Sequence, residues 1–98
     1  MSRPVVVRPD AEADIRSTRA ALDQARAGLG DRFADKLRDV FVRIERVPEL
    51  YGVVSQDVRA ARLKTFRHVV YYVVFADRVE VLAVLHGSRD ASAWQSRV

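Results

Sequence analysis

The stretch from residue 67 to residue 90 constrains the fold more than any other part of the sequence. Every residue in 69–75 is β-branched or aromatic, which is the composition that a pleated strand favours. Residues 76–78 form a short link with two charged side chains, and a second strand, apolar except for Glu80, follows over residues 79–85. Two such runs joined by a short polar link are typical of an antiparallel hairpin.

Both faces of this hairpin are apolar. An antiparallel sheet with one face in water would alternate apolar with polar residues, and neither run does so. We therefore expect both faces to be covered. In the second strand, strict alternation predicts that Leu82 and Val84 share one face and that the opposite face carries Val81, Ala83 and Leu85.

Two amphipathic helices precede the hairpin. Pro9 suits the first position of a helix, and apolar residues spaced alternately by four and three predict that this helix runs from Pro9 to Ala27. After a break with two glycines, Asp31 is the expected N-cap of a second amphipathic helix, which ends before Pro48. The short connection between the two predicts an antiparallel αα-hairpin.

The remaining segments before the hairpin are short. Residues 5–7 are all valine and predict a strand at the start of the chain. Residues 48–57 are expected to form a loop, with Tyr51 and Val53 tucked against the edge of the domain.

Residues 58–64 predict a third strand, and residues 65–67 link it to the hairpin. Past the hairpin, Asp90 is the expected N-cap of a short terminal helix over residues 91–97. We expect Trp94 to anchor that helix to the sheet.

The predicted order is strand, helix, helix, three strands and a short helix. This order is typical of a single α+β domain over residues 1–98, in which an antiparallel β-sheet packs against an αα-hairpin. The terminal helix is too small to cover the whole second face of the sheet. We therefore expect another chain to complete that face, either a partner or, equally, a second copy.

Composition bounds the function only loosely. The net charge of +4 permits a polyanionic partner without requiring one, and the excess lies in the second half, where residues 55–98 carry seven basic and four acidic side chains. The sequence has no cysteine, no His/Asp/Glu set with metal-ligand spacing, and no apolar run near the roughly 20 residues that span a bilayer. We expect a cytoplasmic protein without metal or cofactor.

One set of basic side chains could carry chemistry. A ribonuclease that uses the 2′-hydroxyl needs an acid, a base and cations that stabilise the phosphorane. His86, with Arg62, Lys64 and Arg89, could fill those roles. The interpretation that we favour is that these side chains bind a partner, or are solvated charges that protect strand edges from aggregation. The full set that could converge on the sheet is Arg59, Arg62, Lys64, Arg67, His86 and Arg89.

Two stretches resemble the RelE/ParE toxin superfamily. Residues 58–72 resemble its central strand pair, and residues 81–90, with Trp94 and Arg97 after them, resemble its C-terminal motif. The resemblance runs from Val5 to Arg97. It implies the toxin of a type II toxin–antitoxin pair, neutralised by a ParD-like or other antitoxin, with the α+β fold expected above.

The C-terminal motif is similar to that of the ParE branch, whose members act on DNA gyrase without being enzymes. The RelE branch instead cuts messenger RNA on the ribosome. This sequence has only Lys64 where that branch has a lysine pair, and no tyrosine follows the last strand. His86 and Arg89 keep the ribonuclease alternative open, and a non-toxic RNA-binding or regulatory domain is a third. The residues expected to contact target or antitoxin are Arg59, Arg62, Lys64, Arg67, His86, Arg89 and Trp94.

Overall fold

The computed structural model describes residues 3–98 and confirms the α+β architecture. Two helices cover one face of a five-stranded sheet, and a short helix lies at the C-terminal end. The elements are β1 (Val5–Val7), α1 (Pro9–Ala25), α2 (Leu29–Arg46), β2 (Val53–Ser55), β3 (Val58–Arg62), β4 (His68–Val74), β5 (Val79–His86) and α3 (Ser92–Gln95).

The sheet is mixed, whereas the sequence predicted an antiparallel one. Its strand order is β1-β5-β4-β3-β2, and β1 pairs with β5 in parallel, with Val5 opposite Val79. The other pairings are antiparallel, including the predicted β4–β5 hairpin. The pairing of β1 joins the first strand of the chain to the last, and local patterns contain no information about such a distant partner.

The connection between the helices differs from the prediction. α1 ends at Ala25, and α2 begins at Leu29, two residues before the predicted cap. Gly28 reverses the chain in the left-handed region, with φ of 87°, which glycine adopts without steric penalty. Asp31 therefore lies in the first turn of α2, where its carboxylate accepts a hydrogen bond from Arg19 at 2.8 Å.

The segment predicted as a loop contains the edge strand β2. Tyr51 packs against the core as expected, but Val53 does not, because its side chain lies on the open edge with 51% of its surface exposed. β3 is also shorter than predicted and ends at Arg62. The chain turns there, and the N–H of Leu63 donates to the carbonyl oxygen of His68 at 3.1 Å.

A β-bulge corrects the predicted faces of β5. Tyr71 lies opposite Ala83 and Tyr72 opposite Val81, so Leu82 is one extra residue on its strand. As a result Leu82 and Val84, which were predicted to share a face, pack into different cores. Alternation alone cannot reveal a bulge within a continuous apolar run.

Each face of the sheet has its own core. The helices bury one face, against residues that include Val70, Tyr72 and Val84. Trp94 covers the centre of the other face and stacks on Tyr71, with ring centroids 4.7 Å apart. α3 is shorter than predicted and begins after Ala91, although the carboxylate of Asp90 still accepts a hydrogen bond from the N–H of Ser92 at 2.9 Å.

The short terminal helix leaves the edge of the second face uncovered, as we predicted from its size. Ala60 and Val73 are only half-buried there. No helix within residues 3–98 is long and apolar enough to cross a membrane.

Candidate interaction surface

The strand register brings most of the predicted site residues to one end of the sheet. Arg62, the last residue of β3, lies opposite Val69, and His68 at the start of β4 lies opposite His86 at the end of β5. The turn after β3 and the turn after β5 therefore lie side by side. With Arg32 near the start of α2, they present a surface that we call the basic end: Arg32, Arg62, Lys64, Arg67 and Arg89, all exposed.

The two turns are fastened to each other. The N–H of Gly87 donates to the carbonyl oxygen of Arg67 at 2.7 Å. A Cβ at Gly87 would lie 3.1 Å from that oxygen and 3.6 Å from Nη1 of Arg62, so glycine permits this close approach. This backbone hydrogen bond holds together the two turns of the basic end. Arg32 joins them from a third segment, α2.

Two hollows flank the paired histidines. One, of about 430 Å³, is lined by Arg32 and Arg67 together with His68 and His86. The other, of about 390 Å³, lies toward α1 and is lined by the same histidines and by Arg89. These shared walls place three cations of the basic end, Arg32, Arg67 and Arg89, around the two histidines.

The basic end has no carboxylate partner within residues 3–98. Across the described chain, the arginines that form ion pairs are Arg3, Arg8, Arg19, Arg38, Arg78 and Arg97. None belongs to the basic end, so its charges face solvent uncompensated.

Arg59 does not join this cluster. Its guanidinium donates to the carbonyl oxygens of Tyr51 at 2.7 Å and Glu49 at 3.3 Å, and so fastens the segment before β2. Residues three apart on a strand point to opposite faces, and that rule already separates Arg59 from Arg62 in the sequence. The expectation that all six basic residues converge is therefore wrong for Arg59.

His86 forms hydrogen bonds within its own turn. Its Nδ1 accepts the backbone N–H of Ser88 at 3.1 Å and lies 2.7 Å from the Ser88 hydroxyl. A backbone N–H can only donate, so we assign the imidazole proton to Nε2. The lone pair of Nδ1 is then engaged by Ser88.

His68 lies deeper than His86. Its ring contacts Phe33 edge-on at 5.1 Å and His86 at 5.4 Å between centroids, and its buried Nδ1 has no hydrogen-bond partner among residues 3–98. Burial, and then the neighbouring His86, lower the pKa of His68 below its ordinary value. His68 is therefore in contact with the core, and its lowered pKa favours the neutral ring.

An open groove continues from the basic end along the second face of the sheet. It holds about 410 Å³, has an apolar floor that includes Tyr71 and Trp94, and receives Arg62 and Arg89. Its outer wall is the edge strand β2, where Val53 and Val54 are half exposed. The unpaired backbone edge and apolar floor make this groove suited to an extended or helical segment of another chain.

The sequence analysis missed an ion pair that fixes the C-terminal tail. Arg97 donates to both carboxylate oxygens of Asp14, at 2.6 and 3.2 Å, and Asp14 also accepts the N–H of Val84 at 3.0 Å. Arg97 further donates to the carbonyl oxygen of Leu82. β1 pairs only with residues 79–81 of β5. The ion pair supplies hydrogen-bond partners for the carbonyl oxygen of Leu82 and the N–H of Val84, which lie beyond that pairing. The sequence held a sign of this pair, because the spacing of α1 places Asp14 on the helix face that packs against the sheet.

No group of three or more His, Cys, Asp or Glu side chains within residues 3–98 could hold a metal ion. The surface offers cations and an apolar groove, and these are means of binding macromolecules.

Comparison with known proteins agrees with this geometry. Residues 5–91 match the family described as "ParE toxin of type II toxin-antitoxin system, parDE". Among solved structures, the chain is similar to one titled "Chromosomal ParDE TA system from P. aeruginosa", with a TM-score of 0.77 and 10% sequence identity. The alignment covers 87% of this chain and 96% of that one, and it shows a shared fold. No curated protein matches the sequence.

Proposed function

This chain belongs to the ParE toxin family of type II toxin–antitoxin systems, and from that premise we propose that it inhibits DNA gyrase by direct protein contact. The observation that carries the proposal is the family match over residues 5–91. The surface chemistry supports it, because the chain offers exposed cations and an apolar groove rather than a catalytic arrangement. On this proposal the protein acts in the cytoplasm, together with gyrase.

We propose the groove between β2 and α3 as the antitoxin site. Apolar side chains of the antitoxin would pack on Tyr71 and Trp94, and its backbone would reach the free edge of β2. Arg62 and Arg89 would attract acidic residues of that segment. Lys64, Arg67 and His86 lie just outside the groove, at the end that we assign to the target complex.

The absence of catalysis is part of the proposal, and the site chemistry supports it. A ribonuclease site needs a group that removes the 2′-hydroxyl proton. His86 offers no free basic nitrogen because Ser88 occupies Nδ1. Around it lie arginines, which stay protonated and cannot act as a base at neutral pH.

A gyrase cleavage assay tests the function. Purified toxin, gyrase, ATP and supercoiled plasmid would be incubated together and then treated with denaturant and protease. We expect linear DNA only when toxin and gyrase are both present. An Arg67→Glu variant should lose most of this effect, whereas Arg46→Glu, an equal charge change on the outer face of α2, should retain it.

Intact plasmid under these conditions would contradict gyrase inhibition. The ribosome would then be the target to test, by mapping cleavage of messenger RNA in the A site with wild-type protein and with His86→Ala. Cleavage that disappears in His86→Ala would establish the endoribonuclease alternative.

A further inference from the structure

We infer that the basic end binds the phosphate backbone of duplex DNA, so that the toxin contacts the DNA held by its target as well as the target itself. The biological setting rests on the proposed function. The binding is a property of this chain alone, and three observations lead to it.

The first is uncompensated charge. From Val58 to Ala76 and from Val81 to Arg89 the sequence contains no Asp or Glu. The carboxylate of Asp90, the next acidic residue, accepts the N–H of Ser92. Elsewhere on the chain, six arginines lie within 4 Å of a carboxylate. No cation of the basic end forms such a pair within residues 3–98, so these charges are available to another molecule.

The second observation is preorganisation. The bond from Gly87 to Arg67 joins the turn that carries Lys64 and Arg67 to the turn that carries Arg89. Cations brought together on joined turns suit a polymer whose charges are regularly spaced, at one charge per roughly 1.7 Å of duplex axis. Four of the five cations are arginines, whose planar fork fits phosphate oxygens in pairs.

The third observation separates DNA from an acidic protein. Protein interfaces have an apolar or aromatic centre depleted of charge. At the basic end little apolar surface is open: Leu63 is buried, and Phe66 is half-buried, packs on Phe33 and lines the hollow of about 430 Å³ together with Leu22 and Leu29. Apolar surface suited to a protein lies in the groove instead. The basic end therefore matches a backbone of phosphates better than a folded or peptide partner.

Fluorescence anisotropy with a short labelled DNA duplex and the full-length toxin, without gyrase, tests the inference. We expect binding at low salt that weakens as salt rises, with a slope of about −4 in log K against log salt if four or five phosphates are contacted. The triple variant Arg62→Gln, Arg67→Gln, Arg89→Gln should bind at least about tenfold more weakly and lose roughly 3 from the slope.

A matched control removes the same charge from elsewhere. Arg3, Arg38 and Arg46 lie at the opposite end of the sheet or on the outer face of α2, and their change to Gln should leave affinity within about twofold. Circular dichroism would verify that both triple variants keep the fold.

Three results would overturn the inference: no binding at low salt, equal weakening in the two triple variants, or competition by polyglutamate as strong as that by unlabelled duplex. The gyrase assay is read separately. If toxin traps cleaved plasmid but binds no duplex alone, the proposed function stands and the DNA contact falls. If the toxin binds duplex but leaves gyrase unaffected, the DNA contact stands and the proposed function falls.

Discussion

Asp14 shows how much of this fold depends on one side chain. Its carboxylate is only 12% exposed and connects α1 to the backbone of β5 and to Arg97 near the C-terminus. Replacing Asp14 with Ala would leave the N–H of Val84 and the Arg97 guanidinium without their partner. Bonds to charged groups contribute about 1.5 to 3 kcal/mol each, so we expect the free energy of unfolding to fall by about 3 kcal/mol in urea denaturation.

Asp35 provides the control for Asp14. Its carboxylate is 70% exposed and lies 3.5 Å from Arg38 on the same helix, and pairs of this kind contribute about 0.5 kcal/mol or less. Asp35→Ala should therefore change stability little. Equal effects of the two substitutions would show that the Asp14 network is not a structural fastening.

His68 predicts a dependence of stability on pH. Burial and the adjacent His86 lower its folded pKa below that of the unfolded chain, near 6.5. As pH falls through about 6.5 the unfolded state takes up a proton that the folded state resists, so stability decreases until the folded pKa is passed. Above that range the ring is neutral in both states, and it contributes no pH dependence.

Denaturation curves between pH 7.5 and about pH 5 would measure this effect. His68→Phe, which keeps a ring beside Phe33 and Phe66, should flatten the decrease. His86→Asn should keep most of it, because burial, the larger cause, acts on His68 itself. A decrease that persists unchanged in His68→Phe would assign it to other groups.

At the scale of whole elements, the sequence predicts helices and strands whose apolar residues recur over several turns or pairs, and it misses short or irregular features. α1, α2 and the β4–β5 hairpin each show several turns of one period, and the structure confirms all three. β2 has three residues and no period, and the bulge at Leu82 lies within an unbroken apolar run. The parallel pairing of β1 depends on a strand more than 70 residues away.

The same limit applies to the candidate site. Residue types identified the basic cluster, because cations in turns and at strand ends are visible in the sequence. Their grouping required the register, which brings Arg62 and His86 to one end and turns Arg59 toward Glu49 and Tyr51. The incomplete cover of the second face was predicted, but the outer wall of the groove was not, since that wall is the unrecognised strand β2.

Close approach of α1 and α2 gives a prediction for Gly30. A Cβ there would lie 2.8 Å from the carbonyl oxygen of Arg19 and 2.8 Å from the Asp23 carboxylate, which also accepts the Gly30 N–H. Gly30→Ala must push the helices apart, and such overpacking costs about 1 to 3 kcal/mol. Thermal denaturation should show a clear decrease in melting temperature for this variant.

Gly52→Ala is the matched substitution, because an added Cβ there meets no atom within 4 Å and the backbone is not in the left-handed region. It should leave the melting temperature almost unchanged. If Gly30→Ala were equally harmless, the approach of the two helices would be looser than the structure indicates.

The whole molecule has one well-covered face and one face that ends in an open groove. On the covered face, residues of α2 such as Phe33 and Ile44 are completely buried against the sheet. On the other, α3 covers the centre, and the edge strand keeps Val53 and Val54 about half exposed. An apolar edge of this kind is prone to self-association, so we expect the isolated toxin to be poorly soluble and to gain stability from its antitoxin.

Binding to the folded state alone raises stability by about 2.7 kcal/mol when the antitoxin is at a hundred times its dissociation constant. For a domain of this size that corresponds to an increase of roughly 10 °C or more in melting temperature. Val54→Lys, on the wall of the groove, should reduce the increase, whereas Val42→Lys, similarly exposed but on α2 and absent from the groove, should not. Equal melting temperatures with and without antitoxin would mean that the groove is not completed by this partner.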